Sequence, residues 1–118
     1  MDDDAPDEIV FDLPSGKTIV READLDAIRQ AVIDYLRGST EELRDTFADE
    51  LAGALVWIDE EGVGRINQWL LEQRGSHLAL VRHPPRSPVM FLFVADLAKE
   101  AGQPWKITAF GQERVKGR

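Results

Sequence analysis

Two histidines are the side chains in this sequence best suited to metal binding or to proton transfer near neutral pH. His77 and His83 are six residues apart in SHLALVRH (76–83), a segment typical of a β-strand. At this spacing both side chains point to the same side of the strand, but they stand about 20 Å apart. One metal ion cannot reach both. The sequence therefore predicts a surface or pocket-rim position for each histidine and no metal site.

No nucleophile or phosphate-binding motif accompanies the histidines. The chain has no cysteine, which excludes disulfides, thiol catalysis and thiolate-bound zinc and is consistent with a reducing cytoplasm. Helix capping explains Ser39 and Thr40, because Glu42 follows at the spacing of a capping box. The turn at 14–17 (PSGK) lacks the further glycines and the strand–loop–helix context of a phosphate-binding loop. We expect no metal and no organic cofactor.

Helices and a hairpin are predicted for the first half of the chain. Two β-prone segments flank the PSGK turn and predict an N-terminal β-hairpin over 8–20. Apolar residues at helical spacing predict one helix up to Gly38 and a second after it. The segment 62–75 (GVGRINQWLLEQRG) predicts a third, short helix, since Val63, Ile66 and Leu70 share one helical face.

Antiparallel strands are predicted for the remainder of the chain. The segment 54–59 (ALVWID) is apolar and β-like, and Trp57 alternates there with Leu55 and Asp59, so these side chains share one side. Three further β-prone segments, 76–83, 88–100 and 105–115, are joined by short connections and predict antiparallel pairing. The sequence thus indicates an α+β fold.

Charge and composition restrict the classes of partner. The net charge is −8, with 18 acids and 5 bases (net −13) in residues 1–61 and 4 acids and 9 bases (net +5) in residues 62–118. This acidity argues against nucleic acid as a ligand. The start MDDDAPDE is the opposite of a secretory signal, and no apolar run approaches the ~20 residues of a membrane helix. We expect a disordered acidic leader (1–7), one domain (8–118) and a cytoplasmic protein with no membrane association.

Three segments carry a resemblance to a known superfamily. They are AVIDYLRGSTEELRDTFADE (31–50), ALVWIDEEG (54–62) and GQPWKITAFGQERV (102–115). In this order they resemble the nuclear-transport-factor-2-like superfamily, which includes SnoaL-like and ketosteroid-isomerase-like families. The resemblance covers residues 22–115 and implies three helices packed on a strongly curved antiparallel sheet, a cone-shaped α+β barrel. The N-terminal hairpin is then an addition, and a homodimer through the open sheet face is expected.

The resemblance also implies positions for catalytic groups. Asp59 lies near the position of the general base in the isomerase-like relatives. In those enzymes the base abstracts a proton from a substrate bound in an apolar pocket. Tyr35 lies one helical turn after their catalytic tyrosine, whose site holds Ala31. Asp96 is in the strand of their second acid but displaced by two residues. The catalytic set is therefore incomplete, and the resemblance favours a domain without enzymatic activity.

Two hypotheses about function follow from these observations. The first is a non-enzymatic protein-binding domain, in one form an acidic inhibitor or immunity-type protein for a basic effector. Its steering charges are Asp24, Asp26, Asp45, Asp49, Glu60 and Glu61. The alternative is a small-molecule pocket protein of the SnoaL-like type, an isomerase, cyclase or ligand binder with Asp59 in an apolar cavity. The candidates for lining that pocket are Tyr35, Trp57, Asp59, Trp69, Phe91 and Phe110.

Overall fold

The computed structural model describes residues 7–83 and 91–114, except for the side chains of Glu42, Leu43 and Phe91. Within these ranges the chain forms two helices and eight strands. In chain order they are β1 (Glu8–Leu13), β2 (Gly16–Arg21), α1 (Glu22–Arg37), α2 (Glu42–Ala52), β3 (Val56–Ile58), β4 (Gly64–Ile66), β5 (Trp69–Arg74), β6 (His77–Arg82), β7 (Phe91–Ala98) and β8 (Lys106–Arg114). Strands β1 and β2 form one antiparallel sheet, and β3 to β8 form a second in sequential order.

The predicted fold of three helices on one strongly curved sheet is wrong. The segment 62–75 forms strands β4 and β5 instead of a third helix, joined by a turn in which Asn67 has a φ of 54°. Asparagine tolerates this left-handed backbone, and the turn places Ile66 opposite Trp69. The spacing of Val63, Ile66 and Leu70 resembles a helical face only because a two-residue turn interrupts two short strands.

The larger sheet buries one of its faces against the helices. This inner face carries Ile58, Ile66, Trp69, Leu71, Leu78, Leu80, Ala95 and Leu97, all of which belong to the main core. Helix α1 contributes Leu25, Ile28, Val32 and Leu36 to that core, and none of the four has solvent exposure. Because these four positions recur at helical spacing, they form one apolar stripe of α1 that packs on the inner face of the sheet.

A cluster of aromatic rings fixes helix α2 on the sheet. The Phe47 ring lies 5.6 Å from Trp69, 4.5 Å from Phe93 and 6.4 Å from Phe110, measured between ring centroids. One turn along α2, the Glu50 carboxylate accepts hydrogen bonds from the Trp69 indole at 3.0 Å and from Arg82 Nε at 3.1 Å. Burial of the rings and charge-assisted hydrogen bonds therefore act on the same two turns of the helix.

The N-terminal hairpin, which the sequence predicts, is formed by β1 and β2. Its inward side chains Ile9, Phe11 and Leu13 pack on the main core. A side chain at Gly64 of β4 would meet Ile9 Cδ1 at 3.2 Å and Leu25 Cδ2 at 3.0 Å. The absence of a side chain at Gly64 thus allows the hairpin, α1 and the large sheet to meet closely.

Two other expectations bear on the ends and the environment of the chain. The disordered leader predicted for residues 1–7 falls outside the described residues except for Asp7. Neither α1 nor α2, the helices found in 7–83 and 91–114, is long and apolar enough to cross a bilayer.

Candidate functional site

Asp59 organises the turn between β3 and β4. Its Oδ1 atom accepts hydrogen bonds from the backbone N–H groups of Glu61 and Val63, both at 2.9 Å. Its Oδ2 atom accepts a hydrogen bond from Arg65 Nε at 2.5 Å. An aspartate whose side chain accepts hydrogen bonds from the backbone N–H groups of the second and fourth following residues is typical of a tight turn. Both carboxylate oxygens are therefore hydrogen-bonded within the β3–β4 turn.

These contacts favour the ionised form of Asp59. The hydrogen bond from the Val63 backbone and that from the Arg65 side chain lower the pKa of the Asp59 carboxyl from its ordinary value, against a smaller opposing effect of desolvation. A general base is most efficient when its pKa lies near the operating pH, which for a carboxyl group at neutral pH means a raised pKa. The environment of Asp59 shifts its pKa in the opposite direction, so the carboxylate is suited to stabilising the turn.

Exposed apolar side chains lie beside this turn. Leu55 is 76% exposed and Trp57 is 36% exposed, whereas Ile58 between Trp57 and Asp59 is buried. The alternation follows from the strand, which turns Val56 and Ile58 towards the core and leaves Leu55 and Trp57 on the outer face. Strand β3 lies at the end of the strand order, so no strand of the described ranges pairs with its second edge.

Glu60 and Glu61 give this surface its charge. Together with Trp57, Asp59 and Arg65 they line an open depression of about 560 Å³. Arg65 neutralises Asp59, and neither Glu60 nor Glu61 has a side-chain ion pair with any residue in the described ranges. We call the surface formed by Leu55, Trp57, Glu60 and Glu61 the β3 patch. Asp59 and Arg65 line the same depression. With these two residues counted, three acids and one base give the surface a net charge of −2.

The structure does not bring the six predicted pocket residues together. Trp57 and Asp59 share the depression of the β3 patch. Trp69 and Phe110 belong to the aromatic cluster under α2, with ring centroids 6.4 Å apart. Tyr35 is 39% exposed on α1, and the side chain of Phe91 lies outside the described part of the chain. These residues therefore do not surround one cavity.

The six acids predicted to steer a partner divide into two groups. The Asp24 carboxylate accepts the Arg21 backbone N–H at 2.9 Å at the start of α1. Two of the others are paired on the helices, Asp26 with Arg29 and Asp49 with Arg37. The remaining three, Asp45, Glu60 and Glu61, are exposed and have no side-chain partner among residues 7–83 and 91–114. Glu60 and Glu61 line the same depression as the exposed Trp57.

Each histidine is paired with a carboxylate from a neighbouring strand. His77 Nε2 lies 3.0 Å from Asp96 Oδ1, and His83 Nε2 lies 2.8 Å from Glu72 Oε2. Both pairs are partly exposed. The described residues contain no group of three histidine, aspartate or glutamate side chains close enough to hold a metal ion.

A cavity that the sequence did not predict lies where the hairpin meets the end of the large sheet. Its volume is about 160 Å³, and its walls come from three separate parts of the chain. Ser15 and Thr18 belong to the hairpin, His77 to β6, and Lys99 and Trp105 to the β7–β8 connection. No local pattern could reveal this cavity, because it exists only once the hairpin is docked.

No family model, no curated protein sequence and no solved structure matches the chain.

Proposed function

We propose that this protein is a non-enzymatic protein-binding domain that uses the β3 patch to bind a basic, apolar segment of a partner. An inhibitor or immunity-type protein for a basic effector would act in this way. One observation carries the proposal: the exposed Trp57 lines the same depression as Glu60 and Glu61, which have no side-chain ion pair in the described part of the chain. Leu55, which is 76% exposed, lies two residues before Trp57 on the same side of the strand. This arrangement offers apolar contact and uncompensated negative charge on the same surface.

The apolar side chains favour a protein partner. Tryptophan is enriched among the residues that contribute most to binding in protein interfaces. Trp57 is held by a strand whose neighbouring residue Ile58 is buried, so its backbone is ordered before a partner arrives. Ordering in advance lowers the entropy that association costs. The second edge of β3 also offers unpaired backbone groups to an extended segment.

The charge determines which partner suits the patch. Glu60 and Glu61 attract lysine or arginine side chains and accelerate association at low salt. Since the Debye length is ~8 Å at physiological salt, only acids close to the contact act strongly there. The patch therefore suits a segment that combines basic residues with an aliphatic or aromatic side chain.

The state of Asp59 argues against the alternative of a catalytic pocket. Its carboxylate is engaged by three donors, and its pKa is lowered. A pocket enzyme built on Asp59 would need this group to exchange its hydrogen bonds with Val63 and Arg65 for contact with a substrate. Binding through the patch needs no such change.

The test is calorimetric titration with a synthetic peptide of alternating lysine and valine residues, at low salt. We expect binding to the wild-type protein, weakened at least about tenfold in the double variant Glu60→Lys/Glu61→Lys, since each close charge pair contributes ~1 kcal/mol or more. Replacing Trp57 with serine should weaken binding by a similar factor through the loss of apolar contact.

The matched control is the double variant Asp12→Lys/Asp45→Lys, which changes the net charge by the same amount at two exposed positions away from the patch. It should bind the peptide with close to wild-type affinity. Equal loss in both double variants would mean that net charge alone attracts the peptide, and the proposed patch would then be wrong. Full binding by the Trp57→Ser and Glu60→Lys/Glu61→Lys variants would also refute it.

A further inference from the structure

We infer that the outer face of the N-terminal hairpin is a self-complementary surface, on which a second copy of this chain packs its own hairpin in a weak two-fold dimer. The inner face of the hairpin packs on the main core through Ile9, Phe11 and Leu13, so the opposite face of β1 and β2 is turned to solvent. This contact uses a different surface from the β3 patch and does not rest on the function proposed above.

Two apolar side chains lie at the centre of the outer face. Val10 on β1 is 52% exposed and Ile19 on β2 is 45% exposed. The two residues are cross-strand partners in the hairpin, so their side chains lie side by side on one face. Contact with an apolar surface of another molecule would remove both from water, which is favourable.

Charged residues flank the apolar pair at both ends. Glu8 lies opposite Arg21 at one end, and Asp12 lies opposite Lys17 at the other. Because alternate residues of a strand point to the same face, these four side chains lie on the outer face with the apolar pair. On this face β1 carries the two acids and β2 the two bases, and the four charges sum to zero.

Two of the four charges have no partner within the protomer. Arg21 Nη2 lies 2.9 Å from Glu8 Oε1, so these two residues form an ion pair. Asp12 and Lys17 are exposed, and neither side chain has a hydrogen bond or an ion pair with any residue in 7–83 and 91–114. A second copy can satisfy both at once, since Asp12 can contact the partner's Lys17 while Lys17 contacts the partner's Asp12.

Charge complementarity selects one way of stacking two hairpins with their strands aligned. When the two-fold axis runs along the strands, β1 of each copy lies over β2 of the other. Every acid then faces a base, and Val10 faces the partner's Ile19. When the axis runs across the strands, β1 lies over β1 and like charges meet, which is unfavourable. The first arrangement uses the same surface on both copies, as a two-fold dimer requires.

The balance of charges favours a second copy over a strongly charged partner. A basic segment of the kind that suits the β3 patch would meet Lys17 and Arg21 here, and an acidic segment would meet Glu8 and Asp12. A matching surface needs a row of bases beside a row of acids, and the hairpin of a second copy has both at the right spacing. Six residues are far fewer than the roughly 20–30 per partner in a stable interface, so the dimer is weak.

Sedimentation equilibrium of the wild-type chain at low salt tests this contact. We expect a monomer–dimer equilibrium with a dissociation constant on the order of 100 μM, weakened by added salt because exposed charges are screened. Asp12→Lys should weaken the dimer at least about tenfold, since both reciprocal contacts then bring two bases together. Lys17→Asp should weaken it equally by bringing two acids together.

A mixture of the two single variants separates this contact from effects on folding or on net charge. The Asp12→Lys chain carries two bases where the Lys17→Asp chain carries two acids. The mixture should therefore form a heterodimer about as tight as the wild-type homodimer. The double variant Asp12→Lys/Lys17→Asp keeps the wild-type net charge and should form a homodimer again, because the exchanged charges still match.

The apolar pair is tested by Val10→Thr/Ile19→Thr, which keeps residues that suit a strand. Each copy loses two apolar contacts, so the dimer should weaken at least about tenfold. The control is Leu55→Thr, the same kind of change at an apolar position in the β3 patch that is 76% exposed. It should leave the dissociation constant unchanged.

Four results would overturn the inference. One is a wild-type chain that stays monomeric well above the expected dissociation constant. Another is a dimer that Asp12→Lys leaves intact, which would place the contact on another surface such as the open sheet face. The third is a mixture of the single variants that associates no better than either alone. The last is equal weakening by Leu55→Thr and by Val10→Thr/Ile19→Thr, which would place the contact on the β3 patch.

Discussion

Replacing Phe47 with alanine tests whether helix α2 is held on the inner face of the large sheet. Phe47 is 7% exposed, and its ring contacts Trp69, Phe93 and Phe110. The Arg82 guanidinium lies 5.8 Å from its centroid. The change therefore removes a buried ring, three aromatic contacts and a cation–π contact at once.

The expected loss follows from these contacts. Truncating a buried phenylalanine to alanine costs about 3–5 kcal/mol, against a total stability of roughly 5–15 kcal/mol for a domain. For a chain of this length 1 kcal/mol corresponds to ~4 °C, so the melting temperature should fall by about 12–20 °C. The variant should still fold, with an unchanged dependence of unfolding free energy on urea concentration.

Urea unfolding followed by circular dichroism measures this loss directly. The control on the same helix is Asp49→Ala, which removes only the exposed ion pair with Arg37 and should change the unfolding free energy by less than ~0.5 kcal/mol. A loss below about 1 kcal/mol in Phe47→Ala would refute the placement of α2 against the aromatic cluster.

Three further changes test the turns and the close contacts that position the β3 patch. Asp59→Asn should lower the urea midpoint at neutral pH. Because the folded-state pKa of Asp59 is lowered, its stabilisation is present above about pH 4 and is lost as the pH falls through the folded-state value. Unfolding of both proteins across this pH range should therefore show the difference closing in acid, and a constant difference would contradict the role of the carboxylate. Gly64→Ala should destabilise the protein by about 1–2 kcal/mol in urea unfolding, because a Cβ atom would meet Leu25 Cδ2 at 3.0 Å and crowd a packed core. Asn67→Ala should cost about 1 kcal/mol for its left-handed backbone, while Asn67→Gly should have little effect, and equal stability of the two variants would argue against that backbone.

The sequence predicted a secondary-structure element correctly where the local pattern was compatible with only one structure. The apolar stripe of Leu25, Ile28 and Val32 can bury only one face of a helix, and it does so in α1. The PSGK turn between two β-prone segments predicted the hairpin that β1 and β2 form. In both cases the residues that determine the structure are neighbours in the chain.

Prediction failed at 62–75, where two patterns overlap. Ile66 and Leu70 have helical spacing, but Ile66 and Trp69 are cross-strand neighbours around Asn67. The pairing with β3 and β6 decides between these structures, and such long-range contacts are not visible in a local window. The resulting error in helix number made the predicted three-helix architecture wrong.

The candidate sites were predictable to different extents. Alternation predicted that Trp57 and Asp59 share one side of a strand, and both line the depression of the β3 patch. It gave no indication that Val63 and Arg65 would engage the Asp59 carboxylate. The cavity beside Trp105 combines segments that are far apart in the chain, so its existence depends on tertiary packing alone.

The most direct test of the proposed function is NMR mapping of the wild-type protein with the lysine–valine peptide at low salt. We predict that the Trp57 indole signal and the backbone signals of residues 55–61 shift together, and that the shifts diminish as salt screens Glu60 and Glu61. Shifts centred on other surfaces, with residues 55–61 unchanged, would contradict the claim that the β3 patch binds a basic partner.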